Sequence, residues 1–156
     1  MLKNVLIFIL FLIVVFIVHI LGFLSRRFSD SDFYKNLQKP VFTPPGYVFS
    51  IVWATLYILI ATSGFLIWKN KVLQFADLTF SFWAVSLFFN MIWTFLFFYL
   101  QKPKMALIDL SLIWIFTALF IGFAFNVSAI ASILLIPYIL WLSFAFILNL
   151  KIVLMN

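Results

Sequence analysis

The sequence contains no cysteine and no glutamate, and His19 is its only histidine. The absence of cysteine excludes disulfide bonds, thiolate metal ligands and a thiol nucleophile. One histidine without a second histidine or a glutamate is too small a ligand set for a zinc site. The sequence also has no Gly-rich phosphate loop and no serine elbow, so it indicates no hydrolytic centre. We expect no metal and no obligatory cofactor, and we expect His19 to make a polar contact between helices.

Charged residues are also scarce: they make up 9% of the 156 residues, whereas 67% are hydrophobic and the mean hydropathy is +1.27. So few polar side chains do not cover a water-soluble fold. Apolar runs of about 20 residues cross a hydrocarbon layer of about 30 Å as helices, at about 1.5 Å per residue. They lack the two-residue alternation of barrel strands. The sequence therefore predicts an all-α membrane protein with one transmembrane domain over residues 1–156. Its five helices are predicted near residues 4–24, 44–68, 79–100, 105–125 and 129–150.

The ten lysines and arginines are spread over the ends and connections instead of forming a basic stripe. The net charge of +6 therefore does not indicate a nucleic-acid partner. One side of a five-helix chain carries Lys3, Lys69 and Lys71, and the other carries Arg26, Arg27, Lys35, Lys39, Lys102, Lys104 and Lys151. The positive-inside bias then predicts an N-terminus outside and a C-terminus in the cytoplasm. The abundance of Phe, Ile, Lys and Asn, whose codons are AT-rich, favours a low-GC bacterium and its plasma membrane.

The first connection, about residues 25–43, is much longer than the others and holds four of the ten cations. Loops of this length are usually functional or disordered. Because it also carries Phe28, Phe33, Tyr34 and Leu37, we expect it to fold over the cytoplasmic end of the bundle as a lid. The alternative is a flexible cytoplasmic linker. The cations of this loop are Arg26, Arg27, Lys35 and Lys39.

The stretch KPVFTPPGYVFSIVW, residues 39–53, marks the start of the second span. We expect Thr43 to cap this helix, with Pro44 and Pro45 in its first turn, where the missing N–H groups have no intrahelical partner. Gly46 leaves room for a neighbouring backbone or a ligand. The stretch therefore predicts a rigid helix start beneath the lid.

Aromatic and polar residues recur at helical spacing in three spans. Phe49, Trp53 and Tyr57 are four residues apart in the second span; Asn90 and Trp93 share a face of the third; and Pro137, Trp141 and Ala145 are four apart in the fifth, with Tyr138 beside them. Pro137 cannot donate to the carbonyl of Ile133, which predicts a bend. The stripes predict the wall of a cavity, and the alternative is ordinary helix packing.

Asp109 is the only acidic residue inside a predicted span. An ionisable group within the membrane suggests a function by default. It also lies only about four residues into its helix, where the positive end of the helix dipole and Lys102 or Lys104 are expected to hold it. We assign it a structural role, as we do Pro137.

Taken together, these residues resemble the translocator protein family, the tryptophan-rich sensory proteins (TspO/MBR) also known as peripheral benzodiazepine receptor homologues. The resemblance covers residues 39–150. It rests on four motifs in the family's order and spacing: KPVFTPPGYVFSIVW, FFNMIW, PKMALIDL and PYILWLSFAFILN.

The resemblance implies a five-helix bundle with a pocket open towards the first loop, binding porphyrins, haem-like tetrapyrroles, sterols and synthetic aromatic ligands as a homodimer. Trp53, Asn90, Trp141 and Ala145 match family pocket positions, and Tyr57, Trp93, Asp109, Pro137 and Tyr138 match other motif positions. Phe42 and Tyr47 depart from the family, which often has tryptophan there. The cholesterol-recognition pattern lacks its central tyrosine in LNLKIV, and Leu96, Tyr99 and Lys102 match it only loosely, so the sequence gives weak support for sterol binding. The predicted ligand-binding set is Pro44, Pro45, Gly46, Phe49, Trp53, Tyr57, Asn90, Trp93, Tyr138, Trp141 and Ala145.

Three functions remain open from the sequence. In the first, the protein binds a tetrapyrrole as a sensor or carrier, with Trp53 and Trp141 stacked on the macrocycle and the first-loop cations paired with its propionates. In the second, implied by the resemblance, it is an enzyme that degrades porphyrins with light and oxygen, using the same two tryptophans as electron or radical partners. In the third, it is a membrane scaffold without a small-molecule ligand, whose tryptophans only pack.

Overall fold

The structure is a computed structural model that describes residues 2–27 and 31–156, with only the backbone described at 23, 25–27 and 31. The described residues form helices and connections, without a strand. Five helices of 21 to 27 residues are long and apolar enough to cross a membrane, which confirms the predicted bundle of five spans. The helices are α1 (Leu2–Arg27), α2 (Ser31–Asn36), α3 (Gly46–Lys69), α4 (Ala76–Thr94), α5 (Pro103–Val127), α6 (Ala129–Leu134) and α7 (Ile136–Met155).

The fifth span is broken into α6 and α7 at Leu135, as the proline in it predicts. The Leu135 N–H donates to Ser132 O at 3.1 Å, one residue short of the α-helical pattern, and Pro137 lies in the first turn of α7. This leaves the carbonyl of Ala131 without its helical donor, and Ser63 Oγ of α3 donates to it at 2.7 Å. The hydroxyl therefore satisfies a backbone acceptor that no water reaches in the hydrocarbon region.

The start of α3 differs from the prediction. Thr43 does not cap the helix, because its N–H and its Oγ1 both donate to Pro40 O, at 3.0 and 2.7 Å. Pro45 has an extended backbone (φ −58°, ψ 151°), and the helix begins one residue later at Gly46. The two prolines therefore precede the first turn instead of occupying it, since proline disfavours helical backbone in the residue before it.

The third span, α4, changes its helical form at this same end of the bundle. After Thr94 it continues into a π-helical turn, Phe95–Tyr99, in which the Leu100 N–H donates to Phe95 O at 3.0 Å. The turn ends at Gln101, whose φ of 54° reverses the chain before α5. The wider π turn brings Phe97 inward, where it is buried.

The first connection folds back against this same end. Phe33, Tyr34 and Leu37 pack on a buried cluster formed by α4, α5 and α7, with Phe97 at its centre. The backbone of Gln38 is paired twice with the side chain of Asn156: the Gln38 N–H donates to Oδ1, and Nδ2 donates to Gln38 O, both at 3.0 Å. The loop thus covers one end of the bundle, and its action as a lid stays a prediction.

Candidate functional site

A cavity of about 420 Å³ lies at the end of the bundle that the first connection covers. Every spanning helix contributes side chains to it. The lining residues are His19 and Gly22 of α1; Tyr34 and Lys35 of α2; Gly46, Phe49, Ser50, Trp53 and Tyr57 of α3; Asn90, Trp93, Thr94, Phe97 and Phe98 at the end of the third span; Leu110 and Ile113 of α5; and Trp141, Leu142, Ala145, Leu148, Asn149 and Ile152 of α7.

Eight of the 22 described lining residues are phenylalanine, tyrosine or tryptophan. The ring of Trp53 lies 5.3 Å from that of Tyr57 at 31°, and the Trp93 and Phe97 rings are stacked at 5.1 Å. Phe49 meets Trp141 edge to face at 5.4 Å. These rings hold one another at the separations that aromatic pairs prefer. The wall therefore presents rigid, flat apolar surfaces from three helices to the cavity.

The amide of Asn90 connects three helices at the base of the cavity. Tyr57 OH of α3 donates to Asn90 Oδ1 at 3.3 Å, and Asn90 Nδ2 donates to Tyr138 OH of α7 at 3.0 Å. Asn90 and Tyr138 are both buried, and the ring of His19 in α1 packs edge to face on Tyr57 at 5.1 Å. The polar contact predicted for His19 stays a prediction. Because both amide atoms are engaged, Asn90 fixes the geometry of the cavity.

We expect Asn90→Leu to lower the free energy of unfolding by about 2 kcal/mol, because it leaves the buried hydroxyl of Tyr138 and the half-buried hydroxyl of Tyr57 without their partner. Thermal unfolding of the purified protein in detergent measures this loss. Removing both hydroxyls as well, in the triple variant with Tyr57→Phe and Tyr138→Phe, is expected to restore much of the stability. A triple variant less stable than Asn90→Leu alone would contradict this account of the network.

Two further polar groups lie at the cavity on α7. The Nε1 of Trp141 is buried, and no described residue accepts its hydrogen bond. The buried amide of Asn149, oriented so that both of its atoms are paired, donates to Pro103 O and accepts from the Leu107 N–H, both at 3.2 Å. Asn149 thus ties α7 to the first turn of α5. Trp141 lines the cavity, while its N–H is a buried donor without an acceptor among the described residues.

Positive charge is present at the rim of the cavity. Lys35 lines it and forms an exposed ion pair with Asp32, with 3.5 Å between Nζ and Oδ1. Lys39 is engaged elsewhere: its Nζ donates to Tyr34 O and lies 4.4 Å from the centre of the Tyr34 ring. Lys35 is therefore the cation of the described loop that a cavity ligand can reach most directly.

Most of the predicted site residues come together in this cavity: Lys35, Gly46, Phe49, Trp53, Tyr57, Asn90, Trp93, Trp141 and Ala145. Tyr138 lies behind the wall and acts through Asn90, while Pro44, Pro45 and Lys39 lie outside the lining. Pro137 marks the break between α6 and α7. The predicted contacts of Arg26 and Arg27 concern side chains outside the described residues.

Sequence reasoning missed several lining residues. Asn149 is four residues beyond Ala145, so the predicted stripe of the fifth span contained its signal, and Ser50 is four residues beyond Gly46, which was predicted to leave room for a ligand. Leu110 and Ile113 of α5 gave none. Aliphatic residues occur on every face of a membrane helix, so hydropathy does not distinguish those facing a cavity from those facing lipid.

Asp109 is buried in α5 outside the cavity lining. Among the described residues it forms no ion pair, so neither Lys102 nor Lys104 holds it as expected. Its Oδ2 atom accepts no hydrogen bond from any described residue. Lys104 is five residues before Asp109 and therefore on another face of the helix, and Lys102 is about two turns away, so α-helical geometry keeps the carboxyl from both lysines.

Comparison with known proteins matches residues 9–155 to the sequence model of the TspO/MBR family. The chain belongs to the TspO/MBR family. It is 36% identical over 143 residues to the tryptophan-rich protein TspO of Chlorobaculum tepidum, covering 86% of this chain and 88% of that protein. To protein CrtK of Rhodobacter capsulatus it is 31% identical over 132 residues, covering 82% and 81%. To the human (Homo sapiens) translocator protein it is 33% identical over 132 residues, covering 81% and 78%.

Membership of the TspO/MBR family confirms the resemblance found in the sequence. Together with the five apolar helices, it establishes a multi-pass membrane protein. The matched region extends beyond the four motifs to include most of α1 and the first connection. The cavity described above therefore lies within the part of the chain that is shared with the family.

Proposed function

We propose that this protein binds a tetrapyrrole, a porphyrin or haem-like ligand, inside the bundle and acts as its sensor or carrier. The observation that carries the proposal is a cavity walled by Trp53, Trp93 and Trp141, with the cation of Lys35 at its exposed rim. A tetrapyrrole has the matching chemistry: a flat apolar macrocycle with carboxylates at one edge. Synthetic aromatic ligands share the flat apolar surface and are expected to occupy the same cavity.

Stacking supplies the attraction for the macrocycle. Aromatic faces in contact contribute about 0.5–1.5 kcal/mol beyond the burial of their area. The rings of the wall are held by one another and by Asn90, so little side-chain freedom is lost on binding. A preorganised apolar wall of this kind favours rigid, planar ligands over flexible ones.

The charged edge of the ligand is matched by Lys35. Both side chains of its ion pair with Asp32 are exposed. Exposed ion pairs contribute little to stability. A propionate therefore displaces Asp32 at small cost and forms a charge-assisted hydrogen bond with Nζ.

The remaining parts of the proposal concern the setting. We place the protein in a bacterial plasma membrane with its N-terminus outside and its C-terminus in the cytoplasm, on the uneven distribution of lysine and arginine. The covered end of the cavity then faces the cytoplasm. The partner of the protein is a second copy, as a homodimer.

Titration of the purified protein with protoporphyrin IX in the dark, followed by tryptophan fluorescence, tests the function. We expect saturable quenching in the micromolar range or below, which corresponds to at least about 8 kcal/mol of binding free energy. Lys35→Gln is expected to weaken binding about tenfold, because it removes one charge-assisted contact of about 1.4 kcal/mol. The matched control is Lys69→Gln at the far end of α3, which is expected to leave binding unchanged.

Quenching that does not saturate would reject the proposal and favour the scaffold. Equal affinity of the Lys35→Gln and Lys69→Gln variants would reject the role of Lys35 in binding the propionate. Illumination of the loaded protein in air then tests the enzymatic alternative. New absorption bands that accumulate over repeated turnovers would favour porphyrin degradation over sensing or carriage.

A further inference from the structure

The cavity opens to the protein surface at one edge of its lining. Of the lining residues that the structure describes, three are exposed, Lys35, Gly46 and Ser50, and all the others are buried or half-buried. All three line the same cavity: Lys35 is at the end of α2, and the other two are on the first two turns of α3. The opening is therefore framed by the first connection above and by one face of α3 at the side.

The position of this opening along α3 places it at the side of the bundle. Gly46 begins the spanning helix, and Ser50 is one turn, about 6 Å, further into it. At this depth the polar headgroups of a bilayer meet its hydrocarbon, which begins a little deeper. Because Gly46 and Ser50 bound the opening on α3, the opening faces the lipid–water interface.

The top of the cavity, by contrast, is covered. Tyr34 packs on Phe97 and Phe98, with ring centres 6.5 and 5.6 Å apart. Gln38 is held by the two hydrogen bonds to Asn156. A ligand arriving from water at this end would have to break these contacts, whereas one arriving from the side would meet none of them.

The rim of the opening has the chemistry of a passage for an amphiphile. A Cβ atom added at Gly46 would have no heavy atom within 4 Å, so the space beside the glycine is free. Ser50 Oγ donates to Gly46 O of its own helix at 3.3 Å, so it presents no unpaired donor to a passing apolar surface. Lys35, at the upper rim, offers a cation at the depth where the charged end of an amphiphile lies.

We propose that the ligand enters sideways from the lipid–water interface, through the opening framed by Lys35, Gly46 and Ser50, and that the first connection stays closed during loading. This inference rests on the proposed function. It defines the ligand class as a flat anionic amphiphile that is already partitioned into the membrane, with its macrocycle among the lipid chains and its carboxylates at the headgroups. The lysine meets the carboxylates first, and the macrocycle follows past the glycine and serine.

The test uses the full chain in phosphatidylcholine nanodiscs, with protoporphyrin IX supplied in the lipid and tryptophan quenching followed by stopped flow. Gly46→Leu and Ser50→Leu fill the opening without a buried clash. Each is expected to slow association about tenfold and to slow dissociation as well, whereas damage to the site itself would speed dissociation. Thr55→Leu, exposed on the same helix but outside the lining, is the matched control and is expected to leave both rates unaltered.

Asn156→Ala removes the two hydrogen bonds to Gln38 and tests the route through the covered end. We expect it to leave both rates unchanged. Faster association in Asn156→Ala, together with normal rates in the two leucine variants, would overturn the proposal in favour of loading from water. Leucine variants that change the oligomeric state on size-exclusion chromatography but not the rates would also overturn it, and would assign this face to a contact between copies. Absence of saturable binding by the wild type would reject the proposed function, and this inference with it.

Discussion

Replacing Trp53 and Trp141 together by leucine is expected to weaken protoporphyrin IX binding about a hundredfold. Each indole supplies a ring face to the cavity, and loss of one stacking surface corresponds to about 1.4 kcal/mol, or a factor of about ten. Each single variant is therefore expected to lose about tenfold, with the two effects adding if the tryptophans contact different parts of the ligand. The measurement is the equilibrium titration in the dark, with thermal unfolding of each variant recorded alongside.

Trp68→Leu is the matched control for this pair. It lies on the same helix as Trp53, near the opposite end of the bundle, and stacks on Phe65 outside the cavity. We expect it to bind protoporphyrin IX as the wild type does. If both cavity tryptophans tolerate leucine with unchanged affinity, while the thermal midpoint falls, the aromatic stripes serve packing alone and the scaffold is the better description.

Gly64→Leu is expected to prevent the chain from folding, at a cost of at least about 3 kcal/mol. A Cβ atom at Gly64 would lie 2.5 Å from Cε2 and 2.7 Å from Nε1 of Trp83. The indole has no room to withdraw, because it is buried and its Nε1 donates to Ile60 O at 2.9 Å. The glycine therefore lets α3 and α4 approach closely, as small residues do between membrane helices.

The matched control is Gly122→Leu, because a Cβ atom there would meet nothing within 4 Å. We expect Gly122→Leu to give a normal yield of monodisperse protein and an unchanged or slightly higher thermal midpoint, since leucine favours helix over glycine. Gly64→Leu is expected to give little or no folded protein by the same assays. Equal stability of the two variants would show that α3 and α4 can separate to accommodate the side chain, contrary to the close packing described.

These two predictions distinguish a loss of ligand binding from a loss of folding. The tryptophan pair lies at the cavity, where side chains face open space, so its loss is expected mainly in affinity. The glycine lies where α3 meets α4 with no space left, so its loss is expected in folding. Asn90 lies between these cases, since its hydrogen bonds to Tyr57 and Tyr138 both stabilise the bundle and fix the cavity.

The number and type of the spans followed from the sequence, because a helix in lipid must be long, apolar and internally hydrogen-bonded. The same argument located the break in the fifth span, since Pro137 has no N–H to donate. Periodicity placed Phe49, Trp53 and Tyr57 on one face, and the structure puts all three at the cavity. These are local properties that 3.6-residue spacing and covalent geometry impose on any arrangement of the helices.

The roles of individual side chains depended on how the helices cross. Asn90 and Tyr138 are 48 residues apart, and no local pattern predicts that one amide pairs with two tyrosines from other helices. The start of α3 was misassigned because Thr43 has a partner in Pro40 that a helix-capping rule does not consider. The contributions of Leu110 and Ile113 to the cavity likewise depend on which face of α5 packs towards the other helices. Hydropathy specifies which segments enter lipid, whereas side-chain packing between those segments decides which residues meet and where space is left for a ligand.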